Sequence, residues 1–307
     1  MNKSDKSEIN KSKMILIIGA TGFIGPPVVK KLLDTDYKIK CLVRTDSDLS
    51  QLKESAAKSK REIIFSTGNL QSEDSIFGSL KDVDAVIYLV DLKNTYFIRN
   101  FLRAISRTET KRAVFISSTT VLVPLKNNIK DLKIESENLI QSSRLNYTIL
   151  RPTMIYGSRD DRNYSKMINF IKKRGFFVIF GRGDNLIQPI YIEDVADAVA
   201  SIIDNGKTFR KTYEICGKEP LKYREMLQIV KRKMGKPFRI IKFPAKLSKF
   251  IISLYTKIFK NSSLTPDMIE RMEIDKAYPH DEAKKDFDFK PLSFEDGIEK
   301  LIKELNK

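Results

Sequence analysis

The chain has 307 residues, of which 41% are apolar and 31% charged, a composition that fits a folded globular protein and excludes general disorder. Fifty-six Lys and Arg stand against 39 Asp and Glu, a net charge of +17. Two cysteines (Cys41, Cys216) and one histidine (His280) are too few for a Cys/His metal centre or a disulfide framework, so a reducing compartment is expected.

Residues 1–12 read as a flexible tail of Lys, Ser, Asn and Asp, without the apolar stretch of a signal peptide. No run reaches the roughly 18 apolar residues of a spanning helix, and a cytoplasmic protein is expected. Met14 to Ile18 is a continuous apolar run, as in a strand buried on both faces of a parallel sheet. It runs into Gly19-Ala-Thr-Gly22-Phe-Ile-Gly25, and Pro26 and Pro27 then suit the first turn of a helix through Leu33. Further strands are predicted at Lys38–Val43, Ile63–Ser66, Ala85–Val90, Ala113–Ser117, Tyr147–Leu150 and Phe177–Phe180, the early ones separated by helix-length segments. Strand alternating with helix implies an α/β fold, a Rossmann-like doubly wound parallel sheet.

Gly19-x-x-Gly22-x-x-Gly25 is the most specific chemical signal. In such a turn the first glycine allows the tight bend, the second lets backbone approach a pyrophosphate, and the third lets helix and strand pack closely. The following helix offers unpaired N–H groups to the phosphates. Its place between a buried strand and a helix points to a bound dinucleotide rather than a bare turn. The second strand ends in Arg44, with no acid before Asp46. An arginine there suits the 2′-phosphate of NADP(H), whereas NAD binders usually place a carboxylate on the ribose. An Arg44 merely stacked on adenine would admit NAD(H) as well.

These residues resemble the extended and atypical short-chain dehydrogenase/reductase superfamily, epimerase/dehydratase-like, from Met14 to about Leu305. Gly68-Asn69-Leu70 resembles its Gly-Asp-Leu adenine turn, and Val114-Phe-Ile-Ser-Ser118 its active-site Ser/Thr strand. Leu150-Arg-Pro-Thr-Met-Ile-Tyr-Gly157, Ile190-Tyr-Ile-Glu-Asp194 and Ser293-Phe-Glu-Asp-Gly297 resemble later family signatures, and some polysaccharide-cluster members are similar around 151–161. The resemblance implies cofactor contacts from Gly19, Thr21, Gly22, Phe23, Ile24 and Gly25, then from Arg44, Asn69 and Leu70. Leu89, Val90, Lys133 and Pro152 complete that set, and Ser118 or Thr119 would hydrogen-bond the reacting oxygen.

The family's Tyr-x-x-x-Lys is broken. Counting back from Arg151, Lys133 takes the lysine position and Ile129 the tyrosine position, and an isoleucine cannot transfer a proton. Taking Lys130 instead puts Lys126 in the tyrosine position. Three readings stay open. Lys133 alone supplies the acid/base group, as in isoflavone-reductase-like relatives; or Tyr88, Tyr96 or Tyr156 fills the space from another element; or the protein binds NADP(H) without turnover, as a sensor or assembly factor. Otherwise Lys133 would be a surface lysine paired with Glu137 at i+4.

The domains read as a dinucleotide-binding unit over 13–156 with returning segments at about 177–216, and a substrate lobe over 157–176 and 217–307. Arg159, Arg162, Lys166, Lys172, Lys173 and Arg174 would suit a nucleotide-diphosphate sugar, with Tyr164 or Phe176 stacking on it, or else they lie on an outer helix face. Between 206 and 262 sixteen basic residues face three acids, yet no zinc-finger or aromatic RNA-binding pattern accompanies them, so no nucleic-acid partner is expected. Leu247, Phe250, Ile251, Leu254, Tyr255 and Ile258 give the 244–261 stretch an apolar face with lysines opposite. It suits a cleft cap or a homodimer interface, or an anionic membrane surface. The expected activity is hydride transfer on a nucleotide sugar or a similar polar carbonyl or alcohol; the rival is a catalytically silent NADP(H) binder.

Overall fold

Strands and helices alternate through the first half of the chain because short β-branched runs are separated by amphipathic segments of helical period. In this computed structural model, which describes residues 12–125, 128–161, 163–244 and 273–306, the elements are β1 (Met14–Ile18), α1 (Gly25–Leu33), β2 (Lys38–Val43), α2 (Ser50–Ser59), β3 (Ile63–Thr67), α3 (Glu73–Ser79), β4 (Ala85–Tyr88), α4 (Thr95–Ser106) and β5 (Arg112–Ile116). Then come α5 (Asn128–Gln141), β6 (Asn146–Pro152), β7 (Ile155–Tyr156), α6 (Tyr164–Arg174), β8 (Phe176–Phe180), β9 (Leu186–Ile187), β10 (Ile190–Tyr191) and α7 (Ile192–Ile202). The last are β11 (Lys211–Ile215), β12 (Leu221–Lys222), α8 (Tyr223–Met234), β13 (Arg239–Phe243), α9 (Asp281–Phe287) and α10 (Phe294–Glu304). Except for Ser12 and Pro244, the expected tail and the amphipathic 244–261 stretch lie outside the described residues, as does Arg162.

The main sheet has seven strands in the order β11-β6-β5-β4-β1-β2-β3, and the pairings from β6 through β3 are parallel. The chain winds outward from β1 through β2 and β3, then starts again at β4 on the other side, so the order reverses between β1 and β4. In open α/β sheets ligands bind at the carboxyl ends of the strands beside such a reversal. Ile15, Leu16, Ile17 and Ile18 are all buried, which covers both faces of β1 because successive side chains alternate.

Two compact units share the chain. One comprises residues 1–117, 132–150 and 196–212; the other 118–131, 151–195 and 213–307. The segment expected to return at about 177–216 contributes 196–212 to the first unit, and β8 belongs to the second. The first unit is packed around Leu16, Val86, Tyr88, Phe101 and Phe115, with α1 against α2 and α3 against α4. Arg112 is buried here: its guanidinium holds the Ile202, Ile203 and Asn146 carbonyls at 2.6–2.8 Å, satisfying the end of α7. The second unit is built on an aromatic cluster in which Tyr156 lies 5.1–5.6 Å, ring to ring, from Tyr164, Tyr191 and Phe294.

Candidate functional site: the glycine turn and the buried lysine

The β1–α1 turn is shaped by what its glycines exclude. Gly19 has φ +89°, and a Cβ there would come within 3.0 Å of Val90 Cγ2. At Gly25 a Cβ would lie 2.1 Å from the Ala20 carbonyl oxygen, so the start of α1 sits directly on the turn. The Gly22 amide donates to the Gly19 carbonyl and the Gly25 amide to that of Gly22, both at 3.0 Å. Thr21, Gly22 and Phe23 form an exposed rim, Ile24 is half-buried as the N-cap of α1, and prolines follow in its first turn. This cradle, open on its outer side and filled on its inner side by backbone, fits a pyrophosphate.

Three expected adenine-side residues follow β2 and β3 in the first unit. Arg44 follows β2 with its side chain 72% exposed, meeting Asp46 at 3.4 Å. Asn69 uses Oδ1 to accept the Gln71 and Ser72 amides, so it shapes its own turn. Leu70 packs on the core, and its carbonyl accepts from Asn100.

On the other side of β1, Leu89 donates its amide to the Ile18 carbonyl and Val90 lines Gly19. The next residue is Asp91, which the sequence reading passed over. Lys133, on α5, is only 7% exposed, and its Nζ lies 2.8 Å from Asp91 Oδ1. It is therefore no surface lysine. Glu137, one turn on and also buried, accepts the Ser117 hydroxyl at 2.5 Å. Half-burial pushes the Asp91 carboxyl up, but the hydrogen bond and charge of Lys133, with the amide and charge of Lys93, hold it below the usual carboxylate value. Lys130, the other candidate lysine, donates to the Val123 carbonyl at 2.5 Å.

Ser118, Thr119 and Pro152 belong to the second unit. Ser118 Oγ is buried without a hydrogen-bond partner among the described residues, while Thr119 Oγ1 reaches the Pro152 carbonyl at 3.4 Å. Ile129 is 44% exposed in the first turn of α5.

The substitute tyrosines divide. Tyr88 is buried between Phe101 and Phe115, and Tyr156 lies in the aromatic cluster of the second unit; burial raises both phenols. Neither can serve as a proton donor to a bound substrate. Tyr96 is 56% exposed, its hydroxyl 3.3 Å from the Gln71 carbonyl. Tyr164, expected to stack on a sugar or base, is buried beside Tyr156 instead, because the apolar face of α6 faces the core. Phe176 is half-buried against Phe170. Arg159 and Lys172 hold Glu304, Leu305 and Asn306, fastening the end of α10.

The sequence matches the NmrA-like family over residues 11–296. The chain belongs to the NmrA-like family. This NmrA-like chain is 24% identical over 271 residues to the photosystem II assembly factor Ycf39 of Synechocystis, covering 85% of the chain and 79% of that protein. It is 23% identical over 301 residues to the UDP-glucose 4-epimerase of Vibrio cholerae, covering 86% and 87%. The crystal structure of UDP-glucuronic acid 4-epimerase from Bacillus cereus in complex with NAD superposes with a TM-score of 0.74 at 17% identity, over 95% of this chain and 98% of that one. The fold is thus the Rossmann-like, epimerase/dehydratase type that the residues imply. Among the described residues, no helix is long and apolar enough to cross a membrane.

Proposed function

We propose that this NmrA-like protein binds a nicotinamide dinucleotide, NADP(H) in preference to NAD(H), and transfers hydride to or from a polar carbonyl or alcohol of the nucleotide-sugar type. The observation that carries the reading is the Gly19–Gly25 turn, filled by backbone on its inner side and exposed at its Thr21–Phe23 rim, beside the reversal of strand order. Arg44, exposed after β2, would hold the 2′-phosphate. When bound, the nicotinamide supplies the hydride chemistry. Lys133 would orient the nicotinamide-side ribose and move the one proton. Stereospecific transfer of deuterium from labelled NADPH to a carbonyl substrate, lost in Lys133→Met, is the expected result; equal transfer by that variant would remove Lys133 from the chemistry.

A second reading rests on Ile129: with the tyrosine position apolar and Tyr88 and Tyr156 committed to cores, the chain would bind NADP(H) without turnover. The relative named as an assembly factor is in keeping with it. Tight NADPH binding with no label transfer across a panel of nucleotide sugars would favour this reading over the first.

A further inference from the structure

Asp91 stands at the carboxyl end of β4, one residue beyond Val90, the side chain that limits Gly19. Two donors meet on its Oδ1: Lys133 Nζ at 2.8 Å and the Lys93 amide at 3.0 Å. Oδ2 takes no partner among the described residues, and the side chain is 47% exposed. Lys133 is the reverse case. Its ammonium is buried, offers three donors, and meets one acceptor among the described residues. An ion pair serving stability alone would be expected to use its donors and acceptors within the protein, because unmade hydrogen bonds on a buried charge are costly. Here one free carboxylate oxygen and the spare ammonium hydrogens lie side by side, which is the donor–acceptor set that a vicinal diol satisfies.

The sheet decides which diol. A dinucleotide laid across the reversal of strand order puts its two halves on opposite sides of β1. Arg44 and Asn69 follow β2 and β3, whereas Asp91 follows β4. We propose that Asp91 is a cofactor-binding residue, its Oδ2 accepting a hydroxyl of the nicotinamide-side ribose while its Oδ1 fixes the Lys133 ammonium that donates to the same sugar. This assignment rests on the dinucleotide reading above and extends it to a residue outside the expected set. It also accounts for a buried lysine beside an isoleucine: the charge compensation comes from the loop after β4 rather than from α5 itself.

The test is calorimetric titration of the full chain with two probes, NADPH and adenosine 2′,5′-bisphosphate, the latter being the phosphorylated adenine half without nicotinamide riboside. Asp91→Asn should weaken NADPH by about tenfold or more, the loss of a hydrogen bond to a charged group, and leave the bisphosphate unchanged. If the Asn variant does not fold, as judged by thermal melting, Asp91→Glu carries the test: its displaced carboxylate should weaken NADPH alone. Unchanged NADPH affinity, or an equal loss for both probes, would overturn the assignment. A wild-type chain that binds the bisphosphate but gains nothing from the nicotinamide half would overturn it too. A wild-type chain that binds neither probe would remove the dinucleotide reading itself, and Asp91 with it.

Discussion

The β1–α1 turn and the part of helix α5 that carries Lys133 lie in the same unit but obey different kinds of constraint. The turn is fixed by sterics: a single added Cβ at Gly25 meets a carbonyl oxygen at 2.1 Å, so its geometry and its sequence pattern are inseparable. Helix α5 is fixed by charge pairing, since Lys133 is held by Asp91 from another element. A steric constraint shows in local sequence, whereas a charge partner can come from any strand that ends nearby. That difference explains why the family pattern survives at the turn and breaks at α5 without leaving Lys133 uncompensated.

The largest effect should come from breaking the steric side. Gly25→Ala is expected to cost about 3 kcal/mol in chemical denaturation, by overpacking against backbone that cannot move, and to abolish NADPH binding. On the charge side, Lys133→Met leaves Asp91 half-exposed to water, so only about 1–2 kcal/mol should be lost, less than for a fully buried pair. A loss as large as that of Gly25→Ala would mean that the pair is a main support of the fold. Tyr88→Phe should go the other way. Its hydroxyl is buried without a partner among the described residues, so the variant should be more stable by about 1 kcal/mol and unaltered in any NADPH-dependent activity. A loss of activity in Tyr88→Phe would restore the tyrosine that the core has claimed.

The smallest effects concern pH. On β2 and beside it, burial pushes the Cys41 thiol up to about 12, and burial with the Asp204 hydrogen bond pushes the Tyr37 phenol up to about 12. Folded values above unfolded ones mean a contribution that is whole below the unfolded pKa values and lost as pH rises through about 12. Melting temperature should therefore begin to fall from about pH 9, the thiol titrating first, and Tyr37→Phe should blunt the upper part of that limb. Asp91 is depressed, so its contribution is present above about pH 4 and is lost as pH falls through the lower folded value; Asp91→Asn should flatten the acid limb alone.

Much of this was legible in the sequence because it is local. The apolar run Met14–Ile18, the glycine spacing and Pro26-Pro27 foretell β1, the turn and α1 almost residue by residue. The two-residue strands β7, β9, β10 and β12 are too short to carry a period and exist only through pairing at a distance, as Leu221 does with Ile187. Tyr164 looked like a stacking residue because its neighbours are basic, but the side of α6 it occupies is decided by Met167, Ile168 and Ile171, which face the core with it. Asp91 was passed over for the same reason. Its partner is 42 positions away, and the clue was an acid directly after the expected strand Ala85–Val90.

Dinucleotide binding at the glycine turn is tested most directly by a fluorescence titration with NADPH and NADH on wild type, Gly25→Ala and Arg44→Ala. Wild type is expected to prefer NADPH, and Arg44→Ala to lose about tenfold or more for NADPH, with little change for NADH or for melting temperature. Gly25→Ala should bind neither. Wild-type protein that binds neither cofactor would contradict the central claim and leave the glycine turn as a piece of architecture.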